Sequence, residues 1–202
     1  MKNLFTVIVL FFILQIAVFA QEKIGFGFLS PQRNEPCLTP EQRAEIQAQL
    51  QHQLMNLQKA GILPEKYAKR RAELLWPVAA APEFDDYGFY AVVNFVDQEP
   101  AYPNHLLDYH CGNRTYDLSS GYNHQGVDII NWPFGWHKMS QNQVMAVAAA
   151  PGIIIHKQDG FFDRNCSFGS GYWNAVYIQH DDGAVAWYGH LKKNTLTEKS
   201  IG

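Results

Sequence analysis

Asn174-Ala175-Val176-Tyr177-Ile178-Gln179-His180-Asp181-Asp182-Gly183-Ala184-Val185-Ala186-Trp187-Tyr188-Gly189-His190 is the stretch on which the fold turns. Two runs rich in β-branched and aromatic residues flank Asp181-Asp182-Gly183. Aspartate and glycine supply the turn that two such antiparallel strands need, so the segment reads as a β-hairpin. Upstream, residues 144–148 and 153–157 read as strands on either side of Pro151-Gly152, and residues 90–96 as another. Short strands separated by turns from Gly121 onward mark an antiparallel β domain.

The region before residue 100 reads differently. Thr39-Pro40-Glu41-Gln42 is a helix start: a hydroxyl cap, a proline where no N–H is needed, and Gln42 in capping-box position. Ile46, Leu50, Leu54 and Leu57 follow at helical spacing on one stripe, and Gly61 and Pro64 end the helix. A second short helix is expected over residues 65–75, then an Ala/Pro linker over 77–82.

At the start of the chain, Lys2 precedes a stretch from Leu4 to Phe19 that is apolar except for Thr6 and Gln15. Val18-Phe19-Ala20 then meets the requirements of a signal peptidase, so residues 1–20 read as a secretory signal cut before Gln21. An uncleaved anchor is the alternative, although the stretch is short for a span of about 20 residues. The expected location is periplasmic or secreted, with no stable membrane insertion after cleavage. Export makes disulfides possible. Of Cys37, Cys111 and Cys166, the pair Cys111–Cys166 is favoured because both lie in the later, denser region, with free buried thiols as the alternative. A net charge of -3 with no long run of either sign gives nucleic acid no purchase.

The chemistry centres on His124-Gln125-Gly126-Val127-Asp128. Histidine and aspartate are both zinc ligands. In a straight strand their α-carbons would stand about 13 Å apart, too far to share one ion. A bend at Gly126 is therefore expected. His190, at the end of the hairpin beside small Gly189, can point into a groove, with a structural histidine as the default reading of the residue alone. There is no His-Glu-x-x-His, no phosphate-binding glycine loop and no Gly-x-Ser-x-Gly. His105 and His110 are five apart, the wrong spacing for that helical zinc motif. His52 reads as solvated, and His137 and His156 have no partner in sequence.

Taken in order, His124-Gln125-Gly126-Val127-Asp128, Ala150-Pro151-Gly152, Gly169-Ser170-Gly171 leading to Asn174-Ala175-Val176-Tyr177-Ile178-Gln179-His180, and Tyr188-Gly189-His190-Leu191 resemble the lysostaphin/LytM-type zinc metallopeptidases. The match covers residues 121–191. The resemblance implies a mainly β fold: an antiparallel sandwich or barrel-like LytM-type domain (a duplicated hybrid motif) over residues 101–202, after a helical N-terminal region and linker over 21–100. It implies a zinc endopeptidase that hydrolyses peptide bonds of cell-wall peptidoglycan. His124 and Asp128 match two zinc ligands, and His190 matches a catalytic histidine that stabilises the oxyanion. His180 matches a recurrent position and is expected to support the sheet.

One departure stands out. The family closes its domain with His-x-His, which carries the third ligand and a second catalytic histidine, and residues 191–202 contain no histidine. The expectation is a domain incomplete at its C-terminus and inactive as it stands. The alternative function is a non-catalytic relative that binds cell wall or regulates another wall hydrolase.

Overall fold

The computed structural model describes residues 38–67, 69–96, 124–164 and 172–202. The stretch read as a signal, all three cysteines, His105, His110 and the Gly169-Ser170-Gly171 stretch lie outside the described residues.

Helix α1 spans Pro40–Lys59 and begins as its sequence predicts. The Thr39 N–H donates to Gln42 Oε1 (2.9 Å), and the Gln42 N–H donates to Thr39 Oγ1 (3.2 Å). Two of the donors that a helix start leaves without partners are thereby satisfied. Ile46, Leu50 and Leu57 are buried, with Leu54 packed beside them. Their apolar stripe lies on the central sheet against Ile155, Ala175 and Tyr177.

That sheet is a three-stranded antiparallel meander. Numbered in chain order, its strands are β5 (Gly152–Gln158), β6 (Ala175–His180) and β7 (Val185–Tyr188), neighbours in that order. The hairpin β6–β7 pairs Val176 with Tyr188 and Gln179 with Val185. Gly183 at its turn has φ +86°, a conformation costly for any residue with a β-carbon, and Asp182 Oδ1 accepts from the Ala184 N–H at 2.9 Å. Alternation divides the sheet's side chains between two faces. Ile155, Ala175 and Tyr177 join α1, while Ile154, Val176 and Ile178 form a second cluster with Tyr188, Leu191 and Leu196. Every residue of β6 is buried, as befits the middle strand.

Two small antiparallel pairs complete the described architecture. Strand β1 (Val78–Ala80) pairs with β4 (Val144–Ala146), and β2 (Tyr90–Asn94) pairs with β3 (Asp128–Asn131). A short helix α2 (Gly135–Ser140) follows β3. Small antiparallel sheets with two helices make the described part mainly β. No described helix is long and apolar enough to cross a membrane.

Two local expectations change, the helix over 65–75 and the linker over 77–82. Residues 65–75, expected as a helix, contain none among those described. The Ala72 N–H donates instead to Asp182 Oδ2 (2.9 Å) and the Leu75 N–H to the Ala149 carbonyl (2.7 Å), so distant partners hold this backbone out of a helix. The Ala/Pro stretch is no mere linker, since it supplies β1. The strands flanking Pro151-Gly152 do not pair with each other: β4 joins β1 and β5 joins β6. Strands β1 and β2 lie before residue 100 yet pair with strands beyond it.

Candidate metal and catalytic site

Asp128 opens β3 and lies across from Asn94, where a register irregularity between Val92 and Asn94 interrupts β2. The chain bends at Gly126 and brings His124 back beside it. His124 Nε2 stands 3.2 Å from Asp128 Oδ2, with the two side chains 13 % and 34 % exposed. A β-carbon at Gly126 would meet nothing within 4 Å, and its φ is not positive, so the bend does not depend on glycine.

The other ring nitrogen settles the tautomer. His124 Nδ1 lies 2.7 Å from the Phe95 carbonyl oxygen, which can only accept, so Nδ1 carries a hydrogen. Nε2 then faces a carboxylate oxygen. In a neutral ring this sets a lone pair against an oxygen lone pair, and a proton or a cation between the two atoms relieves the repulsion. Burial, the largest influence on this imidazole, favours the neutral form. The hydrogen bond and charge of Asp128, with backbone hydrogen bonds to Phe95 and Gly126, together outweigh it and raise the pKa above 6.5.

This donor set fits two positions of a zinc ion. Metal-bound histidines characteristically donate their second ring nitrogen to a carbonyl or carboxylate, as His124 does to Phe95. Among the described residues no group of three His, Cys, Asp or Glu side chains gathers to hold a metal.

His190 lies just past β7, at the end of the three-stranded sheet. Its Nδ1 lies 2.8 Å from Asp163 Oδ1, and its ring meets Trp173 edge-on at 5.3 Å between centroids. The histidine is about half exposed and the aspartate nearly buried. The two candidate clusters therefore sit on different sheets, with helix α2 linked to the segments that carry the second. Lys192 Nζ donates to the Ser140 carbonyl (3.1 Å) and to Asn142 Oδ1 (2.6 Å). Arg164 donates to Ser140 Oγ (2.9 Å).

Asp163 escapes sequence reasoning because Phe161-Phe162-Asp163-Arg164 carries no motif, and its partner lies 27 positions away. His180 is buried with Nδ1 2.8 Å from the Pro151 carbonyl, tying β6 to the start of β5. His52 lies on the exposed side of α1 beside Asn56. The chain matches no known protein-family profile, no curated protein and no solved structure.

Proposed function

We propose that this chain is an exported zinc-dependent metalloendopeptidase of the lysostaphin/LytM type, acting on the peptides of cell-wall peptidoglycan in the periplasm or outside the cell. On this reading its antiparallel sheets belong to a LytM-type sandwich. His124 and Asp128 are zinc ligands and His190 is a catalytic residue. The observation that carries the reading is the His124–Asp128 pair itself. A motif read from spacing alone meets in space at 3.2 Å, with its histidine oriented through Nδ1 by the Phe95 carbonyl. Zinc held there would supply a Lewis acid for the scissile carbonyl and activate water near neutral pH. A catalytic zinc takes three protein ligands, so the proposal requires a third from outside the described residues.

The protein's own groups have distinct tasks. Phe95 fixes the His124 ring and leaves Nε2 as the metal-facing atom. Asp128 contributes negative charge from the first residue of a paired strand. His190, held through Nδ1 by Asp163, would act through its other ring nitrogen.

The test is zinc binding by the chain from Gln21 onward, measured by equilibrium dialysis, beside His124→Ala and Asp128→Ala. Peptidoglycan digestion with and without chelator runs in parallel. Zinc retained by the parent and lost from both folded variants supports the site. Equal zinc in all three overturns it. Wall binding without chelator-sensitive digestion favours the non-catalytic relative.

A further inference from the structure

His190 is held by more than its aspartate. Asp163 Oδ2 accepts the Asn174 backbone N–H at 3.0 Å, which leaves Oδ1 to face His190 Nδ1 at 2.8 Å. Asn174, 1 % exposed, clamps the loop that carries Asp163. Its Oδ1 accepts from the Phe161 N–H (2.9 Å), and its Nδ2 donates to the Phe161 carbonyl (3.1 Å). Its own carbonyl accepts from the Leu191 N–H (2.9 Å), which pins the residue next to His190. Both members of the pair have left-handed backbones, with φ 35° at Asp163 and 56° at His190. Such conformations are unfavourable in residues other than glycine and persist only where the surroundings enforce them.

We infer that Asp163, aligned by Asn174, is a positioning residue for His190. It holds the ring in the tautomer with hydrogen on Nδ1, so that Nε2 serves as a proton acceptor. The inference rests on the proposed peptidase reading for its catalytic meaning, but its structural content stands alone.

A carboxylate oxygen only accepts, so His190 Nδ1 must donate. A neutral His190 held this way has no hydrogen on Nε2 and cannot stabilise an oxyanion by donation. It becomes a donor only after taking a proton, when Asp163 balances the charge of the imidazolium. This changes the role implied by the family resemblance. His190 takes a proton from the attacking water at Nε2 and passes the same proton to the leaving amine nitrogen. Asp163 keeps its negative charge throughout, and the ring ends neutral.

The experiment is 15N–1H long-range correlation NMR on the full chain with 15N-labelled histidine, recorded where the rings are neutral. His190→Gln assigns the His190 signals. The parent should give a protonated Nδ1 and an unprotonated Nε2. In Asp163→Asn the new amide must keep its oxygen toward the Asn174 N–H, which turns its NH2 toward His190. Nδ1 must then accept, and the proton moves to Nε2. Asp163→Ala, the second variant, should yield a mixture of tautomers. Circular dichroism reports whether each variant is folded.

In a preparation that digests peptidoglycan, Asp163→Asn should lower kcat by about a hundredfold or more with little change in KM. The corresponding swap in a Ser-His-Asp triad costs roughly 10⁴ through the wrong tautomer. A hydrogen on Nε2 of the neutral parent, or the same tautomer in all three proteins, overturns the inference. Absence of zinc binding and digestion would sink the peptidase reading and leave the tautomer result to judge the positioning role alone.

Discussion

Trp173 fills the space beside Gly189: a β-carbon on that glycine would overlap the indole ring. The same indole touches His190 edge-on, so the glycine that precedes the histidine allows the aromatic wall beside it. Gly189→Ala should therefore force Trp173 aside and destabilise the fold by about 1–3 kcal/mol, the usual range for overpacking. Gly126→Ala is the control, since that position is open and its φ is not positive. Its effect should stay within about 0.5 kcal/mol. Urea unfolding with tryptophan fluorescence measures both. Equal midpoints for the two variants would contradict the packing described.

Tyr177 should prove a costly hydroxyl to remove. It is fully buried, accepts from Trp173 Nε1 at 2.9 Å and donates to Gln158 Oε1 at 2.8 Å. Burial pushes its pKa up to about 12, against a smaller lowering by the Trp173 hydrogen bond, so it remains a neutral phenol across the working pH range. Tyr177→Phe keeps the ring's contacts with Trp187 and α1 but strands an indole N–H and an amide oxygen. Trp173 and Gln158 are only partly buried, so guanidinium unfolding should register a loss of up to the about 1–3 kcal/mol that a stranded buried polar group costs. A variant as stable as the parent would mean that water satisfies both groups.

Much of this architecture is legible in the residues. The capping box at Thr39 and Gln42 and the Ile46-Leu50-Leu54-Leu57 stripe act within one or two turns, so local sequence suffices. Asp182 and Gly183 announce their hairpin for the same reason. Residues 65–75 mislead because their backbone is decided by Asp182 and Ala149, far along the chain. The partner choice of β4 is equally nonlocal. At the site, four-residue spacing and an intervening bend suffice to suggest that His124 and Asp128 meet. Nothing near Asp163 announces its bond to His190, which depends on how the loop before β6 is clamped by Asn174.

His156 gives the fold an acid sensitivity. Neither of its ring nitrogens, both buried, has a hydrogen-bond partner among the described residues, and the ring stacks on Tyr177 at 5.7 Å. Burial lowers its pKa below 6.5. The unfolded chain therefore binds this proton at a higher pH than the fold does. The contribution to stability is full above 6.5 and is lost as pH falls through the depressed folded value. His156→Phe keeps an aromatic ring on Tyr177 and removes the titration. Thermal melts below pH 6.5 should show a smaller acid loss in the variant than in the parent. Parallel losses would place the acid sensitivity elsewhere.

His124 works in the opposite direction, and zinc bound as proposed would reverse it. In the metal-free chain its pKa is raised, so the fold holds this proton more tightly than the unfolded chain. The stabilisation is complete below 6.5 and disappears as pH climbs through the raised folded value. A zinc ligand must instead be the neutral imidazole, so proton and metal compete for Nε2. Zinc affinity should therefore rise over the same pH window in which the metal-free contribution of His124 fades. Asp128→Asn removes the charged partner that favours the cationic ring. It should flatten the His124 part of the metal-free stability profile. It should also weaken zinc at every pH, by more than the roughly 10–100-fold cost of losing an outer-shell partner. Melts and zinc titrations at matched pH values, on parent and variant, separate the two effects. An Asp128→Asn profile that superimposes on the parent's would deny the carboxylate its hold on the ring, and zinc affinity indifferent to pH would deny that His124 binds the ion.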